Sequence, residues 1–174
     1  MQVRKGTGED VEAVSALYDE LNDYLESHVN YPLWRKGIYP AREDALQGIE
    51  EGALFVAEER GRIAGTFILR HRPEEGYALA DWQIQLDDSQ VLVLYTFAVH
   101  PAYRHQGVGQ KLLEWILDYA ARTGNKAVRL DVYEKNTPAI RLYECLGFRY
   151  VDTVDLGYGS LGLDRFRLYQ RLLL

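Results

Sequence analysis

Val99-His-Pro-Ala-Tyr-Arg-His-Gln-Gly-Val-Gly-Gln-Lys-Leu-Leu113 joins the end of an apolar run to the start of a helical pattern, through a loop that carries Arg104, Gly107 and Gly109. The apolar run, Val91 to Val99, predicts a central strand covered on both faces. Beyond the loop, Val108, Leu112, Ile116 and Ala120 share one stripe, with Leu113 and Leu117 beside it, which predicts a helix from Gln106 to about Thr123. Gly124 and Asn125 end it, as a left-handed cap would. A helix start exposes unpaired backbone N–H groups and the positive end of the helix dipole. Glycines at that point let a phosphate approach the backbone, because no side chain intervenes. The stretch therefore reads as a phosphate-binding strand–loop–helix.

Two familiar phosphate loops can be weighed against it. A Walker loop is excluded, since no Gly-Lys-Ser/Thr follows the glycines. A dinucleotide fingerprint is the competitor: Gly107-x-Gly109 opens a helix, and Asp131 lies on the next strand where a ribose-binding acid could sit. Against it, Leu112 fills the third glycine position and seven residues separate Val99 from Gly107, where a dinucleotide turn is tight.

Working outward, Val3-Arg4 begins a first strand, and Val11, Val14, Leu17, Tyr18, Leu21 and Leu25 predict an amphipathic helix from Asp10 to about Ser27. His28 to Pro40 breaks that pattern, and a shorter helix is predicted from Arg42 to Glu51, stopping at Gly52. Leu54–Ala57 and Ile63–Leu69 read as strands joined at Arg60-Gly61. Arg70 to Gln90 is irregular, charged and holds Trp82. Downstream, Val128, Leu130 and Val132 alternate with Arg129, Asp131 and Tyr133 as another strand. Asn136 or Thr137 then caps a short helix with Pro138 in its first turn and Gly147 at its end. Phe148–Asp155 and Phe166–Leu173 close the chain as strands around a glycine-rich loop, Gly157 to Gly162. This order of elements predicts one mixed α/β domain over residues 1–174, with helices on both faces of the sheet.

With those elements in place, Arg104-His-Gln-Gly107-Val-Gly109 resembles the Arg/Gln-x-x-Gly-x-Gly/Ala signature of the GNAT N-acetyltransferase superfamily. Asn136-Thr-Pro-Ala-Ile-Arg-Leu-Tyr143-Glu-Cys-Leu-Gly147-Phe148 is similar to that family's later Asn-x-x-Ala-x-x-x-Tyr-x-x-x-Gly-Phe element, in the family's order and spacing. Together the motifs cover about Val91 to Phe148; the N-terminal part matches only in its pattern of elements. The resemblance implies a central, mostly antiparallel sheet of six to seven strands, splayed at a cofactor slot, and acetyl-CoA as cofactor. It implies that backbone N–H groups of Arg104, His105, Gln106, Gly107, Val108 and Gly109, with flanking Gln110, hold the CoA pyrophosphate. Main chain at Phe97 and Val99 would pair with the pantetheine arm as an added strand does. Asn136 would bond to the pantetheine, and Tyr143 would lie near the sulfur as the catalytic acid for the leaving thiolate. A backbone N–H near Val99 would face the carbonyl oxygen. The chain departs from some members in one respect: Leu92 to Thr96 offers no glutamate base. The base is left open between a water-mediated one, Asp131, Tyr95 and another segment.

The expected activity is transfer of an acetyl group from acetyl-CoA to the amine of a small molecule, or of a peptide or protein, by direct attack in a ternary complex. The alternatives are a non-catalytic acyl-CoA-binding sensor and, more remotely, a NAD-binding oxidoreductase. A formal net charge of −6 without a basic stretch argues against nucleic acid as partner and favours a cationic acceptor. The polar start, Met1 to Asp10, has no secretory apolar segment, and the longest apolar run is too short to span a bilayer. Cys145 is the only cysteine, so no intramolecular disulfide forms, which fits a reducing cytoplasm. A homodimer is compatible with the sequence, though no residue demonstrates it. His100 and His105 are read as structural or incidental, His28 and His71 as isolated, and no His/Cys spacing suggests a metal. Cys145 is expected to be a small packed residue. Trp34, Tyr39 and Trp82 are candidates either for an acceptor pocket or for core or dimer packing.

Overall fold

The structure, a computed structural model, describes residues 1–173. The first strand, β1 (Gln2–Lys5), leads through a 3-10 turn at Gly8–Asp10 into α1 (Val11–Ser27). α1 buries Val11, Val14, Leu17, Tyr18, Leu21 and Leu25, the stripe that the sequence marks. The turn is fixed by Asp10, whose carboxylate accepts the Thr7 N–H at 2.7 Å and two guanidinium bonds from Arg4 at 2.8 and 2.9 Å. α2 (Arg42–Glu50) is held at its start by Asp44, which accepts the Ala41 N–H at 2.7 Å. Strands β2 (Leu54–Glu59) and β3 (Arg62–Arg70) form a hairpin around Arg60-Gly61, with a register shift at Ala57/Glu58. β4 (Val91–Val99), α3 (Val108–Arg122), β5 (Ala127–Tyr133), α4 (Thr137–Cys145), β6 (Arg149–Val154) and β7 (Phe166–Leu172) follow.

The seven strands run in the order β1-β2-β3-β4-β5-β7-β6; β4 and β5 are parallel, and the pairs β1–β2, β2–β3, β5–β7 and β6–β7 are antiparallel. A parallel pair needs a crossover, and α3 supplies it. The predicted mixed α/β architecture, with its mostly antiparallel sheet and four α-helices, is the one observed.

The chain divides into two compact units that share β4. The first comprises Met1–Asn30, Trp34–Leu69 and Tyr95–Leu112. Its core joins Val14, Leu17, Tyr18, Leu21 and Leu25 of α1 to Leu54, Val56, Ile68 and Ala98 of the sheet, with Trp34, Ile49 and Tyr95 packed against them. On β3, Gly48 of α2 meets Ile68, whereas Leu112 of α3 meets Gly65, so helices cover both faces of this strand.

The second unit comprises Tyr31–Leu33, Arg70–Leu94 and the chain from Leu113 onward. Here β5 pairs in parallel with β4 from Val91↔Ala127 to Leu94↔Leu130, and with β7 along its whole length. The alternation in β5 suggests one apolar and one polar face, yet Arg129 and Tyr133 are buried along with Val128, Leu130 and Val132. For Arg129 the irregular stretch of residues 70–90 is the reason. Trp82 lies over the Arg129 guanidinium at 4.0 Å, and Tyr77, only 2% exposed, bonds to Asp131. Leu33, Leu156 and Leu161 pack on Tyr133, Leu163 and Phe166.

Candidate active site

The loop between β4 and α3 opens with a 3-10 turn at Pro101–Tyr103. His100 builds that turn. Its Nδ1 accepts the Ala102 N–H at 3.1 Å, and its Nε2 lies 2.9 Å from Glu20 of α1, so both ring nitrogens serve the scaffold. The Arg104 amide is engaged too, donating to the Pro101 carbonyl at 3.2 Å. After it the backbone passes through positive φ at His105 (60°) and Gly107 (73°), and Gly107 accepts the Lys111 N–H as α3 begins. The amides of His105, Gln106, Gly107, Val108 and Gly109 have no hydrogen-bond partner among the described residues. The first turn of α3 carries no acidic residue, unlike those of α1 and α2. Unpartnered amides turned by positive φ at a helix start form a cradle of the kind that accepts anions.

Among the candidate amides, that of Arg104 is the one already bonded within the loop. The Arg104 guanidinium lies over the Tyr24 ring at 4.6 Å, Tyr24 stacks on His28 at 3.9 Å, and Arg104 Nε is buried without a partner. Nothing in the sequence marks Tyr24 for this contact beyond its place on α1. Phe97 and Val99 are half-buried on β4. The ladder to β5 stops at Leu94↔Leu130, and β4 runs on from Tyr95 to Val99. Within the strand Thr96 takes a positive φ of 49°, and its Oγ1 lies 2.7 Å from the Tyr39 hydroxyl.

The remaining site residues lie in the second unit. Asn136 occupies the N-cap position of α4, but its side chain makes no capping bond; its carbonyl accepts from Ile140 at 3.1 Å. Tyr143 is buried on α4 with its ring edge-on to Phe148 at 5.8 Å. Burial, and then the charge of Asp131, raises the Tyr143 hydroxyl above its ordinary pKa, so it stays protonated at neutral pH. Asp131 responds in its own way. Burial lifts its carboxyl to about 6, while the Tyr77 hydroxyl, donating to Oδ2 at 2.7 Å, pulls it back and the Glu74 charge pushes it further up. Near pH 7 the Asp131 carboxyl is therefore mostly ionised and the Tyr143 phenol protonated.

One expectation about a side residue is corrected here. Cys145 is exposed rather than packed, because α4 buries the stripe of Ile140 and Tyr143, and Cys145 follows only two residues later on another face. Trp34 and Trp82 pack within their own units, Trp34 on the first core and Trp82 over Arg129.

The profile of the Acetyltransferase (GNAT) family matches residues 14–148, which takes in the cradle, β5 and Tyr143. The chain belongs to the GNAT acetyltransferase family. Among its relatives, this GNAT chain is 33% identical over 118 residues to S-(2-succino)cysteine N-acetyltransferase of Bacillus subtilis (strain 168), a stretch that is 67% of this chain and 66% of that protein. It is 41% identical over 71 residues to the [ribosomal protein bS18]-alanine N-acetyltransferase of Escherichia coli (strain K12), covering 41% of this chain and 46% of the relative. The chain thus spans less than two thirds of the length of either. An acetyltransferase from Salmonella typhimurium, solved with its cofactor acetyl-CoA, superposes with a TM-score of 0.70 at 22% identity, over 100% of this chain and 94% of that one. No helix among the described residues is long and apolar enough to cross a membrane.

Proposed function

We propose that the protein is an N-acetyltransferase that moves the acetyl group of acetyl-CoA onto the amine of a small molecule, with residues 1–174 acting as one acetyltransferase domain. The observation that carries the reading is the row of unpartnered amides from His105 to Gly109 at the start of α3, in the segment that the family profile matches. Acetyl-CoA supplies an acetyl group already activated as a thioester. His105 to Gly109, with Gln110 beside them, hold its pyrophosphate; the main chain of Phe97 and Val99 and the Asn136 side chain position its pantetheine arm.

An acceptor amine is protonated at neutral pH and must lose a proton before it attacks. Asp131 is the base in this reading, since its carboxyl, lifted to about 6, is ionised at pH 7 yet basic enough to accept that proton. Tyr143, a phenol protonated at neutral pH, gives its proton to the departing thiolate as that charge develops and is reprotonated from the amine nitrogen as the amide forms. The net release is one proton per turnover. A small-molecule acceptor is supported by the Bacillus relative, whose name specifies S-(2-succino)cysteine; the Escherichia coli relative, named for ribosomal protein, marks the peptide alternative. The lone cysteine fits a cytoplasmic setting.

The test is the initial rate of CoA thiol release from acetyl-CoA across polyamines, aminoglycosides, amino acids and short peptides. One class raising the rate well above the no-acceptor rate is the expected result. A flat panel with acetyl-CoA binding intact overturns the transferase reading in favour of a sensor, and NAD competing with acetyl-CoA overturns both.

A further inference from the structure

The Asp131 carboxylate is met by a side chain from a stretch that neither family motif touches. Tyr77 sits in the 3-10 turn Glu75–Leu79 and donates its hydroxyl proton to Asp131 Oδ2 at 2.7 Å. Bonds from an O–H to a charged oxygen are short and roughly twice as strong as neutral ones. The turn is anchored on two sides. The Trp82 Nε1–H donates to the Tyr77 carbonyl at 2.8 Å, while Gly76 packs so tightly that a Cβ there would lie 2.6 Å from Leu156 Cδ2 and 3.1 Å from the Asp155 carbonyl oxygen. Besides this bond the carboxylate is held by the N–H of its own backbone, and Tyr77 supplies the one side-chain hydrogen bond to it among the described residues.

We propose that Tyr77 is a positioning residue for acetyl transfer, holding the Asp131 carboxylate through Oδ2 in the orientation from which it receives the acceptor amine's proton. The proposal rests on the reading of Asp131 as the base. The other groups around the carboxylate are Glu74 from the same stretch and Tyr143 from α4. Arg129 and Tyr133 share its face of β5, and on β7 the residue opposite is the apolar Leu168. Of these, only Tyr77 donates a hydrogen bond to the carboxylate, and that bond opposes the effects of burial and of Glu74.

Removing the hydroxyl with Tyr77→Phe keeps the buried ring and deletes the tether. The Asp131 titration, followed by the side-chain carboxyl 13C resonance assigned with Asp131→Asn, is expected to move up by about one pH unit. The acid limb of kcat/KM, measured with acetyl-CoA and the amine giving fastest thiol release, moves with it. The rate therefore falls about fivefold to tenfold at pH 6 and much less at pH 8. A limb that stays in place, or a rate lowered equally at every pH, overturns the role of Tyr77. If Asp131→Asn itself leaves the rate and its acid limb unchanged, the base reading fails instead, whatever Tyr77 does. Should Tyr77→Phe not fold, 3-fluorotyrosine at position 77, a stronger donor, is expected to move the same limb downward, and no movement overturns the proposal.

Discussion

Gly65 of β3 and Leu112 of α3 approach so closely that a Cβ on Gly65 would sit 2.7 Å from Leu112 Cδ1. The Ala98 carbonyl oxygen would be 3.1 Å away on the neighbouring strand, and Leu112 is fully buried, so neither can yield freely. This approach seats the helix whose first turn forms the anion cradle. Gly65→Ala is expected to cost about 1–3 kcal/mol, the range for overpacking a filled core. Urea unfolding checks it: the midpoint falls while the slope stays unchanged.

The Arg4–Asp10 pair predicts an acid-sensitive contribution to stability. Hydrogen bonding from Arg4 holds the Asp10 carboxyl at about 2, below its ordinary 3.8. A depressed carboxyl stabilises the fold above its unfolded pKa and loses that contribution as pH falls toward its folded one. About 1–2 kcal/mol should be present at pH 5 and gone near pH 2, allowing for the partly exposed Arg4 side chain. Asp10→Asn should flatten this part of the stability–pH curve in denaturant titrations, and a curve that keeps its slope rejects the assignment.

Gly107 has φ 73° with nothing within 4 Å of its would-be Cβ, so Gly107→Ala strains only the backbone. A left-handed alanine costs about 1–2 kcal/mol, and relief of that strain turns the cradle amides aside. Acetyl-CoA affinity is expected to drop roughly fivefold to thirtyfold by calorimetry. Gly61→Ala is the control: φ is 76°, the surroundings are equally open, and the position lies in the β2–β3 turn. It should lose similar stability and keep its affinity for acetyl-CoA.

Tyr143→Phe removes the proposed acid while retaining the ring against Phe148. Turnover should fall roughly 10- to 1000-fold, the span of general-acid losses, with acetyl-CoA binding largely kept. A mutant turning over at the wild-type rate rejects the role.

What could be read from the amino-acid order was whatever depends on neighbours in the chain. The apolar stripe of α1, the unbroken run of β4 and the glycines at the start of α3 are local patterns, and each element lies where its pattern puts it. Asn136 and Tyr143 were legible only through their motif, because one asparagine and one tyrosine carry no periodic signal of their own. The chemistry around them is another matter. Asp131 and Tyr77 lie 54 residues apart, and the stretch holding Tyr77 has no periodicity to announce that it covers β5. Cys145 was misplaced for a related reason, since only packing chooses which face of a nine-residue helix is buried. Arg104 turns to Tyr24 because a planar cation finds an aromatic face on α1, a contact that spacing cannot encode. The sequence by itself determined the elements, their order and the glycine loop that opens α3, because backbone periodicity and glycine geometry act over a few residues. Only the tertiary structure decided which polar groups are desolvated together, and so which carboxyl is lifted to about 6, because burial is a property of distant segments brought into contact.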